Sequence, residues 1–310
     1  MKRLSFPSLG ALALGCMVMQ HAYAQFGTEA AKLSVIKIKD DLVVIHNDAV
    51  PGNTTALITN QGVILVDDKF EIDHDNIMAM LKTVTSQPVK YVINTHHHAD
   101  HSGGNAKLQA AGTLAVASGN ARARMVEGKQ SGLPDITVQP RGALYLDGKT
   151  VEIYWLGRGH TDGDVVVLFP QYRVLAAGDL YTHGEGLPEL VDYSGGGSAK
   201  EWPATIDNVL KLDFDTVVPG HGDVSKKADL VKYRESAQRM WEVATQMSKA
   251  GKSKADFEKV MRMEFGWYHE FHRQVAQQSD TDAFAQALRA AKQSLDPGGN
   301  LNPGVLIDPK

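Results

Sequence analysis

The sequence predicts a layered α/β protein with a helical extension at its C-terminal end. Runs of β-branched residues alternate with helical patterns along most of the chain, and from about residue 225 onward the pattern is helical. We therefore divide the 310 residues into a signal segment (1–24), a main domain (25–224) and a C-terminal helical extension with an irregular tail (225–310). A chain of this length buries a sizeable core.

The first residues have the features of a secretion signal. Lys2 and Arg3 precede an apolar stretch at residues 9–19, which is too short to span a bilayer. Ala22 and Ala24 then give the small-x-small pattern that a signal peptidase cleaves. We predict cleavage after Ala24, a periplasmic or secreted mature protein, and no stable membrane insertion after cleavage.

The chain has a single cysteine, Cys16, and it lies within this signal. Residues 13–16 resemble a lipoprotein box, so lipidation of Cys16 is the alternative fate, although Ala13 stands where such a box carries leucine. After ordinary cleavage the mature chain has no thiol. This excludes disulfides, cysteine nucleophiles and cysteine metal ligands.

The composition is that of an ordinary globular protein, with 43% hydrophobic and 22% charged residues and a formal net charge of −4. Such a balance provides no strongly basic surface, so we expect no nucleic-acid partner. We expect a small-molecule substrate instead.

The first half of the main domain is predicted to be a run of strands followed by a helix. Turn signals at residues 40–41 and 60–62 separate the strands and favour hairpins. Four apolar residues from Ile77 to Val84 have the spacing of one helix face. The predicted strands are residues 33–38, 42–46, 55–59, 63–67 and 91–93.

A similar second half follows. Ser198 and Glu201 have the spacing of a capping box and predict a helix over residues 198–212. Strands are predicted at residues 151–155, 165–169, 174–177 and 216–218, and the extension is predicted to contain helices at residues 228–249, 254–264 and 282–294.

The strongest chemical signal is a cluster of histidines and one aspartate that directly follows the apolar strand at residues 91–93. Residues 96–101 match the pattern H-x-H-x-D-H, formed by His96, His98, Asp100 and His101. Imidazole and carboxylate groups are the expected ligands of a catalytic zinc ion. A loop at the end of a strand can direct several such side chains inward, so the motif predicts a metal site.

Three weaker motifs follow in order, each beside a predicted strand. His160 lies in Gly-His-Thr-Asp-Gly-Asp between two strands, Asp179 ends a third strand, and His221 follows a fourth. An isolated histidine or aspartate at a strand end is more often structural. Together with the first motif, the three residues indicate one site with metal-binding chemistry.

With these motifs the chain resembles the metallo-beta-lactamase superfamily over roughly residues 32–223. The resemblance implies a four-layer αββα sandwich whose metals lie at one edge of two facing sheets, within a catalytic domain at residues 25–224. It also implies a first metal held by His96, His98 and His160. A second metal would be held by Asp100, His101 and His221, with Asp179 bridging both ions.

Such a site predicts a zinc-dependent hydrolase with two Zn²⁺ per chain. The two cations would lower the pKa of a bridging water enough to supply hydroxide near neutral pH. Asp100 is our candidate for orienting this water and handling its proton. Tyr181 and His183 are near enough in sequence to Asp179 to be substrate-contacting candidates, and we take Tyr181 as the second catalytic candidate.

Groups that hydrogen-bond to the metal-binding histidines are needed to fix their tautomers. Asp164 or Asp67 is our hypothesis for that role. We interpret His97 as pointing away from the metals, and Gly195-Gly196-Gly197 as a flexible bend.

Residues 179–182 narrow the substrate class, because they differ from the residues that one β-lactamase subclass carries there. Asp179 stands where one β-lactamase subclass carries a cysteine, and residues 180–182 lack the lysine that this subclass uses to bind the drug. The ligand set is closer to that of lactonases, phosphodiesterases and hydroxyacylglutathione hydrolases, but a secretion signal argues against a glutathione substrate. We expect an ester, lactone or amide substrate, with β-lactams still possible.

An alternative from another class is a mono-iron oxidoreductase of the persulfide dioxygenase type, which uses the same fold. A binding protein that kept the fold without catalysis is disfavoured by the complete ligand set. We hypothesise that the C-terminal helices cover the pocket, because the main fold leaves its metal edge open. The alternative is a homodimer formed through apolar faces containing Trp241, Met247 or Trp267.

Overall fold

A computed structural model of the chain describes residues 29–47, 50–183, 191–253 and residue 256. The predicted signal segment, Trp267 and nearly all of the predicted helices at 254–264 and 282–294 lie outside these residues. In the described part of the chain, every helix is too short or too polar to cross a membrane.

The first sheet contains seven strands in sequential order. Its first four strands pair antiparallel through hairpins, and the fourth to seventh strands pair parallel. The strands are β1 (Ser34–Lys39), β2 (Leu42–His46), β3 (Thr54–Thr59), β4 (Gly62–Val66), β5 (Val89–Ile93), β6 (Leu114–Ser118) and β7 (Ile136–Val138).

The second sheet contains six strands, which also lie in sequential order from one edge to the other. All neighbours pair antiparallel except for one parallel pair, the fourth and fifth strands of this sheet in chain order. The strands are β8 (Arg141–Leu146), β9 (Lys149–Tyr154), β10 (Val166–Phe169), β11 (Val174–Ala176), β12 (Thr216–Val218) and β13 (Ser225–Lys226).

Six α-helices and three 3₁₀ turns connect these strands within the described residues. The helices are α1 (His74–Lys82), α2 (Ala99–Ser102), α3 (Asn105–Ala110), α4 (Gly119–Glu127), α5 (Trp202–Val209) and α6 (Lys227–Lys249). The 3₁₀ turns are Glu71–Asp73, Pro170–Tyr172 and Gly178–Leu180.

Both faces of the central strands are buried, and this is why they are continuous apolar runs in the sequence. In β2, Leu42 and Val44 face the core between the sheets, whereas Val43 packs beneath the helices on the outer side. The second sheet is covered likewise, by α5 through Trp202 and by α6 through Leu230. The layers are therefore α, β, β and α, and the predicted sandwich is confirmed.

Several elements between residues 105 and 150 are not predicted by the sequence. The strand β6 has two alanines where β-branched residues would signal a strand, and α4 buries only Ala121 and Met125. Such patterns are weak because tertiary packing, more than local preference, forms these elements. The helix predicted over residues 198–212 is shorter, although Ser198 Oγ does accept the Glu201 amide at 3.3 Å.

The C-terminal elements continue the main fold beyond the predicted division at residue 225. The strand β13 pairs antiparallel with β12, and Leu230 and Tyr233 of α6 join the core beneath the second sheet. The predicted helix at 228–249 matches α6 closely. This helix therefore covers the outer face of the second sheet as part of the same packed unit.

Candidate metal centre

The histidine motif lies where β5 leaves the first sheet. Thr95, just beyond this strand, is held by Asp67 at the end of the neighbouring strand β4, through its amide at 2.7 Å and its hydroxyl at 2.8 Å. The Thr95 carbonyl accepts the Val165 amide of the second sheet at 2.8 Å. These bonds attach the start of the loop to both halves of the fold, directly before His96. The helix α2 then carries Asp100 and His101.

A first group of four buried side chains forms one candidate site. Nδ1 of His98 lies 2.9 Å from Nε2 of His160. Oδ2 of Asp179 lies 3.6 Å from Nε2 of His160 and 3.8 Å from Nε2 of His96. The ligand atoms all lie within 4.8 Å of one another, so one ion could contact His96, His98, His160 and Asp179 together.

A second group lies beside the first and consists of Asp100, His101 and His221. Nε2 of His101 and Nε2 of His221 are 3.2 Å apart, and Oδ2 of Asp100 is 3.4 Å from Nε2 of His221. Asp179 also faces this group, because its Oδ1 is 3.2 Å from Nε2 of His101. The seven side chains singled out in the sequence therefore lie together, with Asp179 between the two groups.

The chemistry of these groups fits a divalent metal. Nε2 of His96 is buried and has no hydrogen-bond partner among the described residues, although it faces the first group. Burial lowers the pKa of His96 well below its usual value, and the neighbouring His101 lowers it further. The ring is therefore neutral and its lone pair is available. A set of imidazole and carboxylate donors without sulfur suits zinc.

Two carboxylates outside the groups orient the histidine rings. Oδ2 of Asp67 lies 2.8 Å from Nδ1 of His101, and Oδ2 of Asp192 lies 2.9 Å from Nε2 of His98. Each contact fixes which ring nitrogen is left to face the site. Burial alone would raise the pKa of Asp192, but the hydrogen bond from His98 holds it below its usual range. Asp164 instead accepts from the amide and hydroxyl of Thr161.

Asp192 is a residue that sequence reasoning missed. Its Oδ1 accepts the Ser194 hydroxyl at 2.5 Å and the Gly195 amide at 2.9 Å, and these bonds close a local turn. The signal was an aspartate two residues before a Ser-Gly pair, directly ahead of residues 195–197, the segment interpreted as a flexible bend. This segment is closely packed: a Cβ on Gly195 would lie 2.6 Å from Cε1 of His97.

The comparisons with known proteins bear on this geometry. The model of the metallo-beta-lactamase superfamily matches residues 47–221. The chain belongs to the metallo-beta-lactamase superfamily. Its predicted membership is thus confirmed, and the chain is a metal-dependent hydrolase of this superfamily, as its homologues are.

Individual relatives agree with this assignment. The type 2 metallo-beta-lactamase of Bacillus sp. (strain 170) is 32% identical over 200 residues, which cover 63% of this chain and 76% of that protein. Metallo-beta-lactamase IND-1 of Chryseobacterium indologenes is 32% identical over 179 residues, covering 56% and 72%. The solved metallo-beta-lactamase of Pontibacter korlensis superposes with a TM-score of 0.61 at 25% identity, over 67% of this chain and 99% of that chain.

Tyr181 is predicted to contact substrate because it lies close to Asp179 in the sequence, but its side chain lies in the core. Its side chain is 1% exposed, its hydroxyl lies 2.9 Å from the Ser225 hydroxyl, and its ring packs edge-on against Tyr233. Burial raises the pKa of Tyr181 to about 12, with the Ser225 contact opposing the rise. A hydroxyl enclosed in this way belongs to the core beneath the second sheet, so we withdraw Tyr181 as a catalytic candidate.

Two further histidines lie beside the metal centre. His183 lies beside the turn that carries His221, and its amide donates to the His221 carbonyl at 3.0 Å. A substrate contact by His183 remains a prediction. Nε2 of His97 lies 3.6 Å from Oδ2 of Asp192, on the side of His98 away from the first group, and burial lowers its pKa to about 3.

Proposed function

We propose that this chain is a binuclear zinc hydrolase that cleaves esters, lactones or amides. The observation that carries this proposal is the arrangement of two adjacent ligand groups that share Asp179. Two zinc ions bound there would supply a hydroxide nucleophile near neutral pH and an electrophile for the oxygen of the scissile carbonyl.

The protein's own contribution is to orient donors and to handle a proton. Asp100 is the carboxylate best placed for the proton, because its Oδ2 lies among the second group, 3.6 Å from Nε2 of His101. A carboxylate in that position orients the attacking water and accepts its proton. The side chain of His221 is 13% exposed whereas that of His101 is fully buried. A substrate would therefore approach from the side of His221.

Two observations bear on the substrate. The relatives named metallo-beta-lactamases support β-lactams as substrates to be tested. Residues 180–182 are Leu-Tyr-Thr and offer no cation for the carboxylate of a β-lactam. We therefore place lactones and simple esters first and β-lactams second.

The deciding experiment measures metal content and turnover on the same purified protein. We expect about two zinc ions per chain by elemental analysis, with hydrolysis of a lactone, an ester or a β-lactam. His96→Ala should abolish turnover and most metal binding, because it removes a buried ligand of the first group. His74→Ala, a histidine at the start of α1, is the matched control and should retain both.

The opposite outcome is equally concrete. About one iron ion per chain, no hydrolysis, and oxygen consumption with a persulfide would replace the hydrolase proposal with the dioxygenase alternative. Retained turnover in His96→Ala would reject the assignment of the ligands.

We also propose that the mature protein is periplasmic or secreted. The basic residues Lys2 and Arg3, the apolar stretch at 9–19 and the Ala22-Tyr23-Ala24 pattern support this. N-terminal sequencing of the secreted protein should begin at Gln25. A mature chain that retains Met1, or one lipidated at Cys16, would contradict the predicted cleavage.

A further inference from the structure

The side-chain amine of Lys69 is buried close to the second group. The residue is 0% exposed, and its Nζ donates to Oδ1 of Asn47 at 2.7 Å and to the Gly52 carbonyl at 2.5 Å. An ammonium group removed from water is costly unless it is well paired. Its retention in the core therefore needs a reason, and its two acceptors indicate one.

One acceptor, Gly52, lies directly against a ligand of the second group. A Cβ on Gly52 would be 2.2 Å from Cε1 of His101, so the bare main chain packs on that ring. The Gly52 amide donates to the Asp100 carbonyl at 3.2 Å. Lys69 thus holds the carbonyl of a residue whose amide and α-carbon contact two ligands.

The next residue extends the contact to the third ligand of the second group. The Asn53 amide donates to the Gly220 carbonyl at 2.7 Å, and its Nδ2 donates to the carbonyls of Pro219 at 3.0 Å and Gly222 at 2.9 Å. These bonds bracket His221 on both sides. Residues 52–53, which we call the clasp, therefore contact the chain around every member of the second group.

Two residues of the segment 67–69 have a strained backbone. Asp67 and Lys69 both have a φ of 61°, in the left-handed region that non-glycine residues rarely adopt. This conformation lets Asp67 reach His101 while Lys69 reaches the clasp. The main chain between them also binds the same ligand, since the Asp68 amide donates to the His101 carbonyl at 2.9 Å.

We propose that Lys69 is a positioning residue for the second metal: by anchoring the clasp, it sets the affinity of Asp100, His101 and His221 for that ion. This rests on the proposed function only in that a second metal binds. The amine of Lys69 acts through the clasp and does not touch substrate.

The test is stepwise zinc binding to the metal-free full chain, measured against a chromophoric chelator. In Lys69→Met we expect the affinity for the second zinc to fall about tenfold or more, with the first within about twofold. Excess zinc should restore turnover, which a general loss of structure would not allow. Lys82→Met, at an exposed position at the end of α1, is the matched control and should match the native protein.

A parallel fall of both affinities, or no change in the second, would overturn the proposal. Should Lys69→Met fail to fold by circular dichroism, Asn47→Leu decides, because it keeps Lys69 and removes one acceptor of Nζ, together with the bond from Asn47 to the Pro51 carbonyl beside the clasp. Selective weakening of the second zinc supports the role, and unchanged binding rejects it. Two zinc ions without any hydrolysis would contradict the proposed function alone, whereas a native chain that binds a single ion would overturn both.

Discussion

In the first group the ring of His98 is held by a carboxylate from a distant loop, whereas in the second group the main chain of Gly52 also contacts the ring of His101. His98 is fixed by Asp192, 94 residues further along the chain, through a charged hydrogen bond of 2.9 Å. His101 has a similar carboxylate contact with Asp67, but it is also packed against the bare backbone of Gly52. The second group further depends on the clasp and its anchor Lys69.

This difference implies that two metals, if bound as proposed, would not be bound equally well. The first group is enclosed, with His98 and Asp179 less than a tenth exposed, while His221 of the second group opens toward solvent. Water can compete more readily for an exposed ligand. We therefore expect the second ion to be the weaker and the more easily perturbed by changes outside the ligands.

The largest separation of the two groups should come from a pair of glycine substitutions. In Gly52→Ala the added Cβ would lie 2.2 Å from the His101 ring, and in Gly195→Ala it would lie 2.3 Å from Oδ2 of Asp192. Neither glycine has a left-handed φ, so the effect is steric. A ligand displaced by about 1 Å can lower turnover about a hundredfold. Zinc titration should show loss of the second ion in the former and of the first in the latter.

Gly119→Ala is the control for this pair. Its nearest contact would be the flexible end of Gln139 at 3.3 Å, so metal binding should be unchanged. If Gly52→Ala and Gly195→Ala weaken the same ion, the two groups are not positioned independently.

A smaller effect is expected when the orienting carboxylates become amides. Asp192→Asn should weaken the first zinc and Asp67→Asn the second, each by about 10- to 100-fold, because the amide no longer fixes the ring as an anion does. Stepwise zinc titration measures both. Asp164→Asn serves as the comparison, since this buried carboxylate binds Thr161 and neither histidine. Weaker binding of one zinc ion alone in Asp164→Asn would contradict the assignment of Asp192 and Asp67 as the orienting carboxylates.

The smallest effect is expected for Tyr181, which lies two residues after Asp179. Tyr181→Phe removes the hydroxyl bonded to Ser225 and should lower the free energy of unfolding by about 1 kcal/mol. Turnover should stay within about twofold, because the hydroxyl lies in the core. Denaturant unfolding and steady-state kinetics on one preparation measure both quantities. A large fall in kcat with unchanged stability would return Tyr181 to the catalytic candidates.

The sequence predicts the sandwich, and it predicts that the seven candidate side chains lie together, for one physical reason. Ligands such as His96 and Asp179 follow apolar strands, and the ends of neighbouring strands meet at one edge of a sheet. The order of motifs along the sequence therefore indicates which side chains lie together in the fold. Tyr181 shows the limit of this logic, since its proximity to Asp179 in sequence does not determine which way its side chain points.

What the sequence could not predict depends on contacts between distant segments. Asp192 meets His98 across 94 residues and Lys69 meets Asn47 across 22, and neither spacing belongs to a local motif. Glycines such as Gly52 carry no chemistry of their own, so their role appears only when the neighbouring ring is placed. Positioning residues are for this reason harder to predict than the ligands they hold.

The short strand β13 has a consequence for how this protein can be dissected. It covers the edge of the second sheet by pairing Ser225 and Lys226 with β12. An uncovered edge strand offers its peptide groups to other chains and promotes aggregation. A fragment that stops at residue 224 would leave the strand Thr216–Val218 exposed at that edge, only a few residues from His221. Shortened forms used to isolate the hydrolase should therefore keep β13, which covers this edge, and α6, which covers the outer face of the second sheet.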